Sequence, residues 1–227
     1  MPALSQILTS HGCILVLDAA STTVQVGLLR TGNAPLWHSS NEESGQSIFT
    51  CTEACLRTAG LKLSEIRAFV FCEGPGSMLG VRTVAMAIRT WQSEIPRPAY
   101  RYQSLPIAAV GEWAGKEWPN FTLLADARRD TWHCLAVDAD CRMQALRRVA
   151  TADLPAHALV TPENFRVWSK LSRPISTCSY DLAKIFPLLD AGDFFHETSA
   201  PEAFQHEAPD YKKWSAQTHS AATAPIR

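Results

Sequence analysis

Two apolar, branched runs, Cys13 to Asp18 (CILVLD) and Val24 to Leu29 (VQVGLL), flank the polar turn Ala19 to Thr23 and predict a β-hairpin. From Ser47 to Ala59 the spacing changes: Ile48, Cys51, Cys55, Leu56 and Ala59 recur at helical intervals, and Gly60 supplies the stop. Ala68 to Cys72 (AFVFC) is a fully apolar five-residue strand that runs directly into the loop EGPGSMLGVR. Ser77 is placed to cap a second helix, in which Val81, Val84, Ala85, Ile88 and Trp91 keep helical spacing up to Pro96. Beyond Pro98, Leu105 to Trp113 reads as a helix, and Thr122 to Ala125 and Trp132 to Val137 read as strands around the turn Asp126 to Asp130. The pattern then thins to apolar pieces at Ala158 to Val160 and Ile185 to Leu189, and it is lost after Trp214. A second lobe is expected from about Ser104, giving lobes of 1–103 and 104–227 whose last segment packs back on the first.

The chemistry concentrates in Gly74 to Arg82. Gly74 and Gly76 open backbone conformations closed to other residues and allow close approach, and Pro75 stiffens the loop between them. Free amides at the start of the next helix would favour an anion. Two readings stand: a phosphate-facing loop, or a tight strand-to-helix connection whose glycines serve packing. It is not a Walker loop, since no Gly-Lys-Ser/Thr follows, nor a G-x-G-x-x-G loop. Arg82 could contact phosphate, cap a carboxylate or lie in solvent.

Bulk properties exclude several classes. A hydrophobic content of 46% supports a real core, and the formal charge of -1 gives no global field for nucleic acid or anionic lipid. Among the arginines only Arg128, Arg129, Arg142, Arg147 and Arg148 cluster, so no direct nucleic-acid binding is expected. No apolar run approaches the ~18 residues of a spanning helix, and the first residues lack a signal peptide's pattern, so the chain is expected in the cytoplasm and off the membrane. Seven cysteines at irregular spacing, with no C-x-x-C, argue against a disulfide framework or zinc ribbon. Cys13, Cys72 and Cys134 read as small core residues, and the Cys51/Cys55 pair as packing on one helix face. No two of the seven histidines lie three to five residues apart, so no helical metal pair and no metal site is assigned.

The run GPGSMLGVRTVAMAIRTW resembles the signature of the TsaB (YeaZ) family. Three further pieces follow in the family's order: CILVLDAASTTVQVGLL resembles its opening hairpin, QSLP at Gln103 to Pro106 its S-S-L-E step, and LLADARRDTWHCL at Leu123 to Leu135 its I-D-A-R segment. PDYKKW at Pro209 to Trp214 faintly resembles its closing P-x-Y motif. This chain departs at Leu79, where threonine is usual, near Ser44 and Gly45, where His-Ser commonly precedes the first helix, and at Ala19 and Ala20, where the superfamily has hydroxyl residues.

The resemblance implies an α/β, actin-like (ASKHA, ribonuclease H-like) ATPase fold of two related lobes. It implies a non-catalytic scaffold that binds a TsaD-type enzyme, together with a TsaE-type ATPase, to support threonylcarbamoylation of adenosine next to the anticodon of tRNA. No catalytic residue is assigned. Asp18, Gly74, Pro75, Gly76, Ser77 and Arg82 form the loop region, phosphate-facing or structural, and Asp18 either approaches phosphate or stabilises its turn. The partner surface is expected on the two helices of the first lobe, at Ile48, Cys51, Cys55, Met78, Met86, Thr90 and Trp91. No cofactor is assigned to this chain; the resemblance leaves room for ATP or ADP at the partner interface and for a homodimer without the partner. The alternative is a small-molecule kinase or ATP hydrolase of the same superfamily, needing an acid near the phosphates, for which Asp18, Glu73 and Asp126 are the candidates. A peptidase finds no metal pair or nucleophile and base in support.

Overall fold

A computed structural model describes residues 2–115 and 120–205. Short α1 (Leu4–His11) precedes the hairpin β1 (Cys13–Asp18) and β2 (Val24–Arg30), which continues into β3 (Leu36–Ser40). Helix α2 (Ser44–Ala59) leads to β4 (Ala68–Gly74), α3 (Met78–Glu94), β5 (Ala99–Gln103) and α4 (Ser104–Gly115). The second half holds β6 (Asn120–Asp126), β7 (Thr131–Asp138), β8 (Arg147–Ala150), β9 (Ala158–Pro162), β10 (Ser176–Cys178), the single-turn α5 (Leu182–Ile185) and β11 (His196–Thr198).

The strands form two sheets on one plan. In the first the order is β11-β5-β4-β1-β2-β3, and in the second β10-β9-β6-β7-β8. Each is an antiparallel meander of three strands, with two further strands added parallel to the meander's first. This is the actin-like arrangement of two related lobes, visible in strand order although no sequence repeat marks it. β11 returns to pair antiparallel with β5. The crossovers differ: the first sheet uses α2 and α3, whereas between β9 and β10 the second has no helix.

Strand β1 shows why both faces are apolar. Leu15 and Leu17 meet α2 and α3 on one side, with Phe69 and Phe71 of β4. Ile14 and Val16 point the other way, into a core shared with Phe121, Leu123 and Leu135 of the second sheet. Strands buried on both faces cannot alternate polar and apolar positions, so periodicity alone could not distinguish them from short helices.

Helix α2 begins at Ser44, three residues ahead of the expected start, because the Glu43 side chain accepts hydrogen bonds from the Gly45 and Gln46 amides. It ends at Gly60 in the left-handed conformation. Ser77 caps α3, accepting from the Gly80 amide. The piece Ile185 to Leu189 is helical, and Cys13 is half-buried rather than core. Elements α1, β3 and β5 had no predictive pattern. Among the described residues no helix is long and apolar enough to cross a membrane.

Candidate functional site

Asp18 ends β1 and is 0% exposed. Its Oδ1 accepts from the Ala20 amide at 2.8 Å, and its Oδ2 accepts from the hydroxyls of Tyr102 and Tyr180, each at 2.8 Å. Burial raises its carboxyl above the ordinary value, and these three donors oppose burial without cancelling it. Both oxygens are therefore committed inside the protein. Tyr180 lies between β10 and α5, so the bond joins the hairpin to the second half of the chain. Gln25 reinforces the joint, donating to the Tyr180 carbonyl at 2.7 Å and accepting from the Leu182 amide at 2.9 Å. The Thr22 amide donates to the Asn164 carbonyl at 2.8 Å.

The glycine loop packs against the hairpin turn. The Ser77 amide donates to the Ala20 carbonyl at 2.6 Å, and the Ser104 hydroxyl donates to the Pro75 carbonyl. A Cβ on Gly76 would lie 2.3 Å from the Ala20 oxygen, and one on Gly80 would lie 2.1 Å from the Ala19 oxygen. These glycines let α3 start directly against Ala19 and Ala20, the positions where hydroxyl residues are replaced. That geometry is a tight strand-to-helix connection. Arg82 does not join the loop: it is exposed beside residues 201–205 on the outer side of α3.

The other candidate acids are also engaged. Glu73 is buried, with Arg101 Nη1 at 2.7 Å and Gln103 Nε2 at 3.3 Å from its carboxylate oxygens. Asp126 accepts from the amides of Arg128, Trp168 and Ser169 at 2.6 Å each. Burial acts to raise its carboxyl, but the amides of Ser169, Trp168 and Arg128 outweigh it and hold the group below its ordinary value. It borders a cavity of 120 Å³ with Met78, Leu79, Arg128, Arg166 and Trp168. The β6–β7 turn there is strained, with Arg128, Arg129 and Asp130 all at positive φ, and Arg128 stacks over the Trp168 ring at 4.8 Å. Among the described residues no group of three or more His, Cys, Asp and Glu side chains could hold a metal ion. Asp18, with both oxygens hydrogen-bonded and no exposed surface, presents none of its carboxylate to solvent.

Helices α2 and α3 lie side by side over the first sheet. Three residues expected on the partner surface are corrected: Ile48, Cys51 and Cys55 are buried against the strands, because they occupy the inward stripe of α2. Burial pushes the Cys55 thiol up to about 11, in keeping with packing. Met78, Met86 and Thr90 are exposed, and Trp91 is half-buried with its ring stacked on Phe69 at 5.6 Å. Leu79 at 67% and Met86 at 57% exposure are the most open large apolar residues of α3. Phe49 joins them, exposed on α2 and edge-on to Trp91 at 6.0 Å. Sequence reasoning missed Phe49 because it stands outside the helical stripe, and missed Tyr102 and Tyr180 because nothing local links them to Asp18. The expected closing motif, Pro209 to Trp214, lies outside the described residues.

The family model described as "TsaD: tRNA N6-adenosine threonylcarbamoyltransferase" matches residues 38–157. Among solved structures, YeaZ from Pseudomonas aeruginosa is similar at 21% identity and a TM-score of 0.59, covering 78% of this chain and 89% of its own. An uncharacterized P. aeruginosa protein with similarity to peptidase YeaZ gives 20% identity and a TM-score of 0.60, covering 79% and 90%. Comparison with curated proteins gives no match.

Proposed function

Because the chain belongs to the tRNA N6-adenosine threonylcarbamoyltransferase (TsaD) family as a YeaZ (TsaB)-like protein associated with tRNA modification, we propose that it is a non-catalytic scaffold of that reaction. It binds a TsaD-type subunit, with a TsaE-type ATPase completing the assembly in the cytoplasm, and contributes no nucleic-acid contact of its own. Asp18 carries this reading: the carboxylate best placed for phosphate chemistry is enclosed by the Ala20 amide, Tyr102 and Tyr180. A kinase or ATP hydrolase would need that oxygen free to approach phosphate or its metal. The outer face of α2 and α3, with Phe49, Met78, Leu79 and Met86, offers an adaptable apolar surface of the kind a partner helix can cover.

The experiment combines the purified chain with the TsaD-type and TsaE-type proteins of its own organism, tRNA and substrates. Modification is expected only when this chain is present, and the chain alone is expected neither to modify tRNA nor to turn over ATP. ATP turnover by the chain alone that disappears in Asp18→Ala would overturn the scaffold reading.

A further inference from the structure

We propose that the partner face of α3 is read by charge: the TsaD-type subunit presents carboxylates, spaced along a helix, to Arg82, Arg89 and the arginines beside the N-terminal end of α3. The inference rests on the partner assignment above and adds the chemistry of the partner's side. The outer stripe of α3 runs Leu79, Arg82, Met86, Arg89, all exposed. At 1.5 Å of rise per residue, the two arginines stand about 10 Å apart along the axis with Met86 between them. Both border a 230 Å³ groove that also takes in Ala85, Met86 and Pro201. At the other end, Met78 and Leu79 share the 120 Å³ cavity with Arg128, Arg166 and Trp168. Four arginines thus surround one exposed apolar strip on a chain whose formal charge is -1.

Little acid within the chain answers them. Of the carboxylates bordering the two hollows, Asp126 is bound by three backbone amides, and Glu202 reaches Arg89 at 4.0 Å with both groups exposed. No acid occurs on α3 before Glu94, and on α2 the exposed Glu53 is matched by Arg57 one turn on. The face therefore carries net positive charge around apolar side chains. Two carboxylates seven residues apart on a partner helix, with an apolar residue between them, would meet Arg82 and Arg89 while covering Met86. Nucleic acid fits this surface less well. Phosphates gain nothing from Leu79 and Met86, and the Trp168 ring already carries Arg128 at 4.8 Å over one face. A charged rim of this kind acts on the rate of encounter and the choice of partner, while apolar contact holds the complex.

The test follows association of the full chain with the TsaD-type subunit of its own organism. Between about 50 and 500 mM salt the parent's association rate should fall at least about tenfold. The Arg82→Glu/Arg166→Glu double variant should melt like the parent, associate at least about tenfold more slowly, and lose most of the salt dependence. Arg82→Lys should keep the parent's rate and gain a zero-length carbodiimide cross-link to an aspartate or glutamate of the subunit, which arginine at that position does not form. A parent rate that ignores salt, or a charge-reversed chain that associates as the parent does, would overturn the charge reading and leave the partner assignment standing. A parent that binds no TsaD-type subunit at any salt would remove the partner assignment and this inference with it. A tRNA held by the parent chain alone and released by Arg82→Glu/Arg166→Glu would overturn it in favour of a nucleic-acid surface.

Discussion

Asp18 is where one side chain bears most on what the protein does. Replacing it with alanine removes the acceptor for the Ala20 amide and two tyrosine hydroxyls and leaves a small cavity. Asp18→Ala is expected to lose roughly 2–4 kcal/mol of stability in thermal or urea unfolding. Asp18→Asn keeps the shape and removes the charge, so it should stay within about 1 kcal/mol of the parent at pH 7. The pH dependence has a definite sign. The folded carboxyl sits above its ordinary 3.8, so the native state holds the proton to higher pH than the unfolded chain. Its contribution is full below that ordinary value and is lost as pH rises through the folded pKa. Melts of Asp18→Asn across pH 4 to 8 should show a smaller loss of stability with rising pH than the parent. An equal or steeper loss would mean that the enclosed carboxylate does not govern that slope.

At the scale of an element, α3 separates two roles by face. Val84 and Ile88 are fully buried against the sheet, whereas Met86 and Thr90 point outward. Ile88→Glu places a carboxylate where no partner exists and is expected to cost several kcal/mol, enough to collapse the melt. Met86→Glu should melt within about 1 kcal/mol of the parent while weakening association with a TsaD-type subunit by about 2 kcal/mol or more, read by size exclusion and titration. Normal association by a well-folded Met86→Glu chain would remove this helix from the interface. The two faces were legible in the sequence from the helical spacing of Val84 and Ile88. The same spacing placed Ile48, Cys51 and Cys55 on one stripe of α2, but it could not say whether that stripe met a partner or this chain's own sheet.

Across the whole molecule, the hairpin ties the two sheets together through Asp18 to Tyr180, Gln25 to Tyr180 and Leu182, and Thr22 to Asn164. Tyr180→Phe deletes one donor and should cost about 1–2 kcal/mol. It should also speed amide exchange selectively at residues 22–25 and 180–182, where the two halves meet, while the interior of the first sheet stays protected. Uniform loss of protection would indicate that this contact does not act locally as a joint.

The elements legible along the chain are those whose signals are local: the hairpin around Ala19 to Thr23, the apolar β4, and the Ser77-capped α3. Caps, turns and periodicity act over a few residues, so they are written where they act. What those elements meet depends on contacts between distant parts of the folded chain. That two halves without detectable repetition share one strand order depends on pairings between distant strands, and β3, β5 and β8 are too short or too mixed to announce themselves. The close approach that requires glycine at 76 and 80 comes from the carbonyls of Ala20 and Ala19, more than fifty residues earlier in the chain. Asp18 was legible as a candidate acid, but its enclosure depends on Tyr102 and Tyr180, which reach it only once both sheets are in place. A side chain's chemistry is set by what surrounds it, and in this core most of those neighbours are distant in sequence.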